Sequence, residues 1–154
     1  MNGQDIDKIL HILLRHPNLK FLGVFSSDEI PNPTTYPSCC VINLDPRYLP
    51  GSYWVAVYFS SPNLIEFFDS YGNAPSIYNL SLPKTPHILF NQYPLQMINS
   101  KVCVHYCIIS HYHLSKGSSL QKISSHLRQI NSDMYVRSYI QKLVSLSSVK
   151  LPLK

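Results

Sequence analysis

The sequence predicts an α+β domain in which a mixed or antiparallel sheet is packed by helices, and three observations predict it. A segment with helical spacing opens the chain, short apolar runs rich in β-branched and aromatic residues fill the middle, and further helical segments close it. Strands gathered between helices, instead of alternating with them, are the pattern of α+β folds. At 154 residues the chain has the size of one domain with one substantial core, so a single domain spanning 1–154 is expected.

Between Asp5 and Arg15, the residues Ile6, Ile9, Leu10, Leu13 and Leu14 recur at helical spacing, and Pro17 ends the segment. Phe21 to Phe25 reads as a brief extended piece. SSDEIPNPTTYP carries three prolines and is loop. Ser38 to Asn43 is a strand, DPRYLPGS a turn, and Tyr53 to Phe59 with Leu64 to Ser70 form a hairpin joined by SSPN. After the turn YGNAPS comes a Pro-punctuated stretch with one candidate strand, His87 to Phe90. Cys103 to Leu114 is apolar with few breakers and Gly117 closes it, so a buried central helix is predicted there. Helices are also predicted at Ser119 to Ile130 and Ser132 to Leu146, the latter capped by Ser132 or Asp133.

Hydrophobic residues make up 45% of the chain and charged residues 14%, a balance that excludes intrinsic disorder. No apolar run approaches the ~20 residues that span a bilayer, so no membrane segment is expected. Asp5 and Asp7 stand where a signal peptide would be basic, and an intracellular, unprocessed chain is the expectation. Thirteen Lys and Arg against eight Asp and Glu give net +5, with six of the thirteen after Gly117. That excess is compatible with a nucleic-acid partner, but a solvated surface is the better account of it. Four cysteines are too few for a disulfide framework, and Cys39 and Cys40 lie in a predicted buried strand, so reduced core thiols are expected. Cys103 and Cys107, four apart, with His111 and His113 beyond them, would suit zinc. Structural zinc usually draws ligands from loops as well, and no second Cys pair follows, so neither a metal nor another cofactor is predicted.

The chemistry-bearing stretch is QMINSKVCVHYC, where a cysteine opens an apolar helix seven residues after Gln96. The partial positive charge of a helix N-terminus stabilises a thiolate, and an upstream amide can donate to a developing oxyanion. On the pattern alone, a buried core cysteine is the more ordinary reading.

Four runs extend the pattern: FLGVFSSDEIP, VINLDPRYLPGSYWVAVYF, EFFDSYG and LQMINSKVCVHYCIISHYHLSKG. In this order, from Phe21 to about Gly117, they resemble the landmarks of adenain, the adenovirus maturation protease, and of its relatives in Maverick-type DNA transposons. The SUMO-specific proteases are a more distant likeness. The resemblance implies a papain-like, adenain-type cysteine peptidase fold with chain order His, acid, Gln, Cys. It makes Cys103 the nucleophile, Asp69 the orienting acid and Gln96 the oxyanion donor, and Trp54 and Ser100 also match. It further implies a monomer that meets a polypeptide substrate or protein partner, viral or transposon precursors as substrates, and the host nucleus or virion as location.

Two departures stand out: Tyr53 occupies the position of the family's histidine, and Val104 that of the glycine after the cysteine. A histidine near pKa 6.5 relays the thiol proton, whereas a tyrosine near 10 is a neutral donor at pH 7. Val104 is expected to stiffen and crowd the approach to the sulfur. On a helix from Cys103, His105 points about 200° away and His111 and His113 lie turns below; His87 reads as a surface or satisfied histidine. Asp69 can also be read as a turn cap and Tyr53 as an ordinary strand aromatic. Two functions are therefore expected to compete: an adenain-type endopeptidase, and a catalytically impaired pseudo-protease that keeps the cleft as a peptide-binding module.

Overall fold

A computed structural model describes residues 1–49, 51–130 and 133–147. Asn2 begins the first helix, α1 (Gly3–Leu13): its side chain accepts from the N–H of Asp5, whose carboxylate accepts from the N–H of Asn2 in return. This reciprocal cap satisfies two of the donors a helix start leaves open. It also starts the helix two residues ahead of the apolar periodicity, which alone points to Asp5.

Five strands follow: β1 (Lys20–Ser26), β2 (Ser38–Asn43), β3 (Trp54–Ser61), β4 (Leu64–Phe68) and β5 (His87–Phe90). They form one mixed sheet in the order β1-β2-β3-β4-β5. The two inner pairings, β2 with β3 and β3 with β4, are antiparallel, and the outer two are parallel. The hairpin predicted from Tyr53 to Ser70 is present, but Tyr53 precedes β3, and Asp69 and Ser70 lie beyond the end of β4.

Every residue of β2 is buried, as are the first six of β3, because the sheet is covered on both faces. The period of two along each strand sorts side chains into two cores. Cys39, Val41, Ala56, Tyr58 and Phe68 face the helices. Cys40, Ile42, Val55, Val57, Phe59, Ile65 and Phe67 face the other way, where Ile30, Tyr78, Leu80, Leu82 and Phe90 close over them. The Pro-rich loops after β1 and β4 thus serve as a lid on the second core. Truncating a fully buried Phe59 or Phe67 to alanine is worth about 3–5 kcal/mol of stability.

The central helix, α2 (Cys103–Ser115), is apolar on all sides and packs on β3, while α1, α3 (Leu120–Ile130) and α4 (Asp133–Leu146) lie against it. A helix without a polar face belongs in the interior. α3 and α4 present only stripes, Leu120, Ile123 and Leu127 on one and Val136, Ile140 and Val144 on the other. Ser119 caps α3, accepting from the N–H of Lys122 at 3.2 Å; Ser132, the alternative cap for α4, lies outside the described residues, as does Pro50 of the predicted turn. Among the described residues no helix is long and apolar enough to cross a membrane.

One buried polar group couples this core to pH. His111 has no solvent exposure, and its Nε2 donates to the Cys40 carbonyl at 2.8 Å. That bond fixes the tautomer, leaving Nδ1 an acceptor with no partner among the described residues. Burial pushes the His111 pKa down from 6.5 to about 4, against a small opposing pull from the Cys40 bond. His105 is also pushed down to about 4, by burial, then by the charge of Arg137 and the N-terminus. Below 6.5 the unfolded chain binds protons that the folded chain refuses, so this stability is complete above 6.5 and is lost as pH falls toward 4. For His111 the loss amounts to about 2–3 kcal/mol; His105, nearer solvent, adds less. The urea midpoint is therefore expected to fall already between pH 6.5 and about 5, above the range where carboxylates titrate. His111→Gln, which keeps an amide donor for Cys40, should flatten that slope; an unchanged slope would count against His111 as its source.

Candidate functional site

Where β4 ends, Asp69 and Ser70 carry the chain into the interior with no solvent exposure. A carboxylate in that position must have its lone pairs satisfied by protein donors. Oδ1 of Asp69 accepts from the Tyr53 hydroxyl and from the N–H of Tyr71 at 2.9 Å. Oδ2 accepts from the Tyr78 hydroxyl and from the N–H of Asn73 at 3.2 Å. Buried Asn91, just past β5, clamps the Asp69 backbone: its Oδ1 accepts from the Asp69 N–H at 2.9 Å and its Nδ2 donates to the Asp69 carbonyl at 2.6 Å. The four acceptances fill the roughly four lone-pair sites of a carboxylate.

Tyr53 sits immediately before β3, packed against both cores, with its ring stacked on Tyr71 at 5.2 Å between centroids and 7° between planes. Its hydroxyl proton goes to Asp69, and its oxygen accepts from the Tyr71 N–H at 3.3 Å and lies 3.1 Å from Ser70 Oγ. Burial, then the negative charge of Asp69 and the bond to it, drive the phenol pKa upward, with Ser70 pulling weakly the other way. Tyr53 is a locked donor at every physiological pH.

Ser70 links this network to Gln96. Its Oγ donates to Gln96 Oε1 at 2.6 Å, and Gln96 Nε2 donates to the Ser100 carbonyl at 2.7 Å, which fixes the orientation of the amide. The N–H groups of Leu95 and Gln96 both donate to the Ser70 carbonyl, at 2.7 and 3.0 Å. Gly72 makes this approach possible: its φ is +74°, and a Cβ there would lie 2.5 Å from the Tyr93 carbonyl carbon. Gln96 is thus buried with one of its two amide hydrogens already committed.

Cys103 is the first residue of α2, after an N-cap, Val102, that supplies no side-chain bond. Backbone N–H groups of Trp54, Val104 and Cys103 itself act on the sulfur and lower its pKa. Burial outweighs them and raises it above 9.0, with the Asp69 charge adding to the rise. At neutral pH Cys103 is therefore mostly a thiol. One turn on, Cys107 Sγ donates to the Trp54 carbonyl at 3.4 Å, so two cysteines of one helix act on the N–H and the carbonyl of one residue, Trp54, at the start of β3.

Cys103, Tyr53, Asp69, Gln96 and Ser100 are gathered at one end of the sheet, around the start of α2. Two other positions singled out by the resemblance, the matching Trp54 and the departing Val104, serve the core: both pack on the helix side of the sheet. Val104, expected to crowd the approach to the sulfur, is only 4% exposed there. The Ser100 carbonyl holds Gln96, while its own hydroxyl is buried without a partner among the described residues. Among the described residues no histidine hydrogen-bonds Asp69 or Cys103: His111 is engaged with Cys40, His113 lies between the Tyr112 and Tyr139 rings, and His87 is exposed on β5. Nor do three or more His, Cys, Asp or Glu side chains converge to hold a metal ion among those residues.

Ser70, Tyr78 and Asn91 belong to the site and are not evident as such in the sequence. Asn91 carries a faint signal, a polar residue directly after an apolar strand; Tyr78 carries none. The segment that leads from β5 into α2 exposes Tyr93, Met97 and Ile98, and the Arg128 guanidinium lies 4.0 Å above the Tyr93 ring.

No family model and no curated protein matches this chain. Among solved structures it is similar to the central domain of the uncharacterized Lpg1148 protein from Legionella pneumophila, at 15% identity with a TM-score of 0.52, over 94% of this chain and 98% of that one. At that identity the likeness is one of fold.

Tyr53→Phe removes one of the four donors to a buried charge and is expected to lower stability by about 1–3 kcal/mol in urea unfolding. Tyr78→Phe should do the same. Two neutral results would show that the carboxylate does not depend on them.

Proposed function

We propose that this chain is an adenain-like, papain-type cysteine peptidase fold in which the cleft binds a polypeptide and hydrolysis is strongly impaired. The observation that carries the reading is the direction of one proton: the Tyr53 hydroxyl donates to Asp69. In a working thiol peptidase the group held by the acid takes the nucleophile's proton and later returns it to the leaving amine. An imidazole can do both, because one ring nitrogen donates to the acid while the other faces the sulfur. A phenol has a single proton and spends it on the acid. With Cys103 pushed toward the neutral thiol by burial, neither half of a thiolate-imidazolium pair is available. Losing one member of such a triad typically lowers turnover by several orders of magnitude.

Binding needs a groove and no base. Exposed Met97, Ile98 and Tyr93 beside the site offer the apolar contacts an extended peptide would take. The position of Cys103, where three backbone N–H groups act on its sulfur, favours a second reading. There the chain is a working endopeptidase on viral or transposon precursor proteins in the host nucleus or virion, with Cys103 as nucleophile, Asp69 as orienting acid and Gln96 as oxyanion donor.

Alkylation of Cys103 by iodoacetamide, followed by peptide mass mapping, separates the two. The impaired reading expects a rate that climbs with pH through 9.0 and no plateau near neutrality. Rapid neutral labelling that levels off would establish an activated thiolate and remove the impaired reading. Tyr53→His should create the plateau and label with a peptidyl warhead; continued silence in that variant would count against the peptidase ancestry of the cleft.

A further inference from the structure

α2, α3 and α4 leave a cleft of about 250 Å³ between them, away from the Cys103 end of the sheet. Its floor is apolar, from Ile109 of α2 and Ile123 and Leu127 of α3. Its walls are rings: His113 and Tyr139 have centroids 5.7 Å apart, and Tyr135 lies 5.8 Å from Tyr139 and 6.4 Å from His126. At its solvent side stand Lys122 and His126, four residues apart on α3 and so on one helix face. Among the described residues no acidic side chain lines the cleft and no carboxylate pairs with Lys122.

We propose that this cleft is a binding site for a small planar carboxylate, one aromatic ring bearing an acid group. An apolar floor with ring walls favours a flat hydrophobic body in offset or edge contact. The ammonium of Lys122, without a carboxylate partner among the described residues, and the His126 imidazole supply donors for an anion at the mouth, where a charge-assisted bond keeps part of its strength beside solvent. The size sets the class: drug-sized ligands and nucleotides use pockets of roughly 300–1,000 Å³, whereas a single-ring acid fits within about 250 Å³. His113 is held neutral by burial and by the nearby His126, so the inner wall adds a polar ring without a fixed charge. Because Ile109 and His113 belong to the helix that begins at Cys103, an occupant would rest directly against α2.

Benzoate, titrated into the full chain with methyl and imidazole resonances followed by NMR, tests this. Saturable shifts confined to Ile109, Ile123, Leu127, His113 and His126 are expected, with benzamide and acetate each binding more weakly. Lys122→Ala lies on the surface and should fold; it is expected to weaken benzoate roughly fivefold while leaving benzamide unchanged. Ile123→Phe should fill the floor and abolish both. The site is overturned by benzoate shifts that do not saturate or that scatter over the surface, by benzamide binding as well as benzoate, or by a Lys122→Ala variant with undiminished affinity.

Discussion

A carboxylate withdrawn entirely from water must find a donor for each of its lone pairs, or lose its charge. Asp69 meets that demand with four donors from separate places: a side chain ahead of β3, two backbone amides of the turn after β4, and a tyrosine of the irregular segment beyond. Each donor brings its own piece of chain into register. Asn91 then fixes the Asp69 backbone to the end of β5, and Ser70, the next residue, extends the network to Gln96 and through it to the loop before α2. The segment between β4 and α2 holds only one short strand and a single 3₁₀ turn, Pro75–Tyr78, so this polar framework stands in for secondary structure there.

The same framework decides what chemistry the site can support. An orienting acid imposes direction on whatever group it holds, because that group must donate to it. With an imidazole the constraint leaves a second nitrogen free to face the nucleophile; with Tyr53 it consumes the one proton and leaves an oxygen already shared with Tyr71 and Ser70. On the proposed peptidase reading, a tyrosine in place of the imidazole keeps the architecture, since a stacked, half-buried aromatic fills the space, and leaves no proton relay. The backbone N–H and carbonyl of Trp54, met by Cys103 and Cys107, show the same economy: the helix start that could activate a thiol also secures the sheet.

The sheet is the second constraint. Covered on both faces, it gives β2 and β3 their unbroken apolar character, with α2, apolar all round, packed on β3 and α1 on β1. Where α3 and α4 meet α2, tyrosine and histidine rings line the cleft that remains between them.

Local patterns in the sequence determined most of the elements, because periodicity and breakers act within a few residues. β2, β5 and the start of α2 lie where residue types alone put them, and α1 shifted only because the Asn2 and Asp5 cap is worth more than the apolar phase that points to Asp5. The quartet of Cys103, Asp69, Gln96 and Tyr53 was legible by resemblance, as an ordered set of positions along the chain. Tertiary structure alone decided the parallel outer pairings, since strand direction depends on the path of the Pro-rich loops and not on the strands. It alone decided the roles of Ser70, Tyr78 and Asn91, and sent Val104 into the core, because burial and hydrogen bonding are set by partners distant in sequence. Which way the Tyr53 proton points was likewise beyond the sequence: a hydroxyl donates toward the strongest acceptor in reach, and only the folded chain brings Asp69 there.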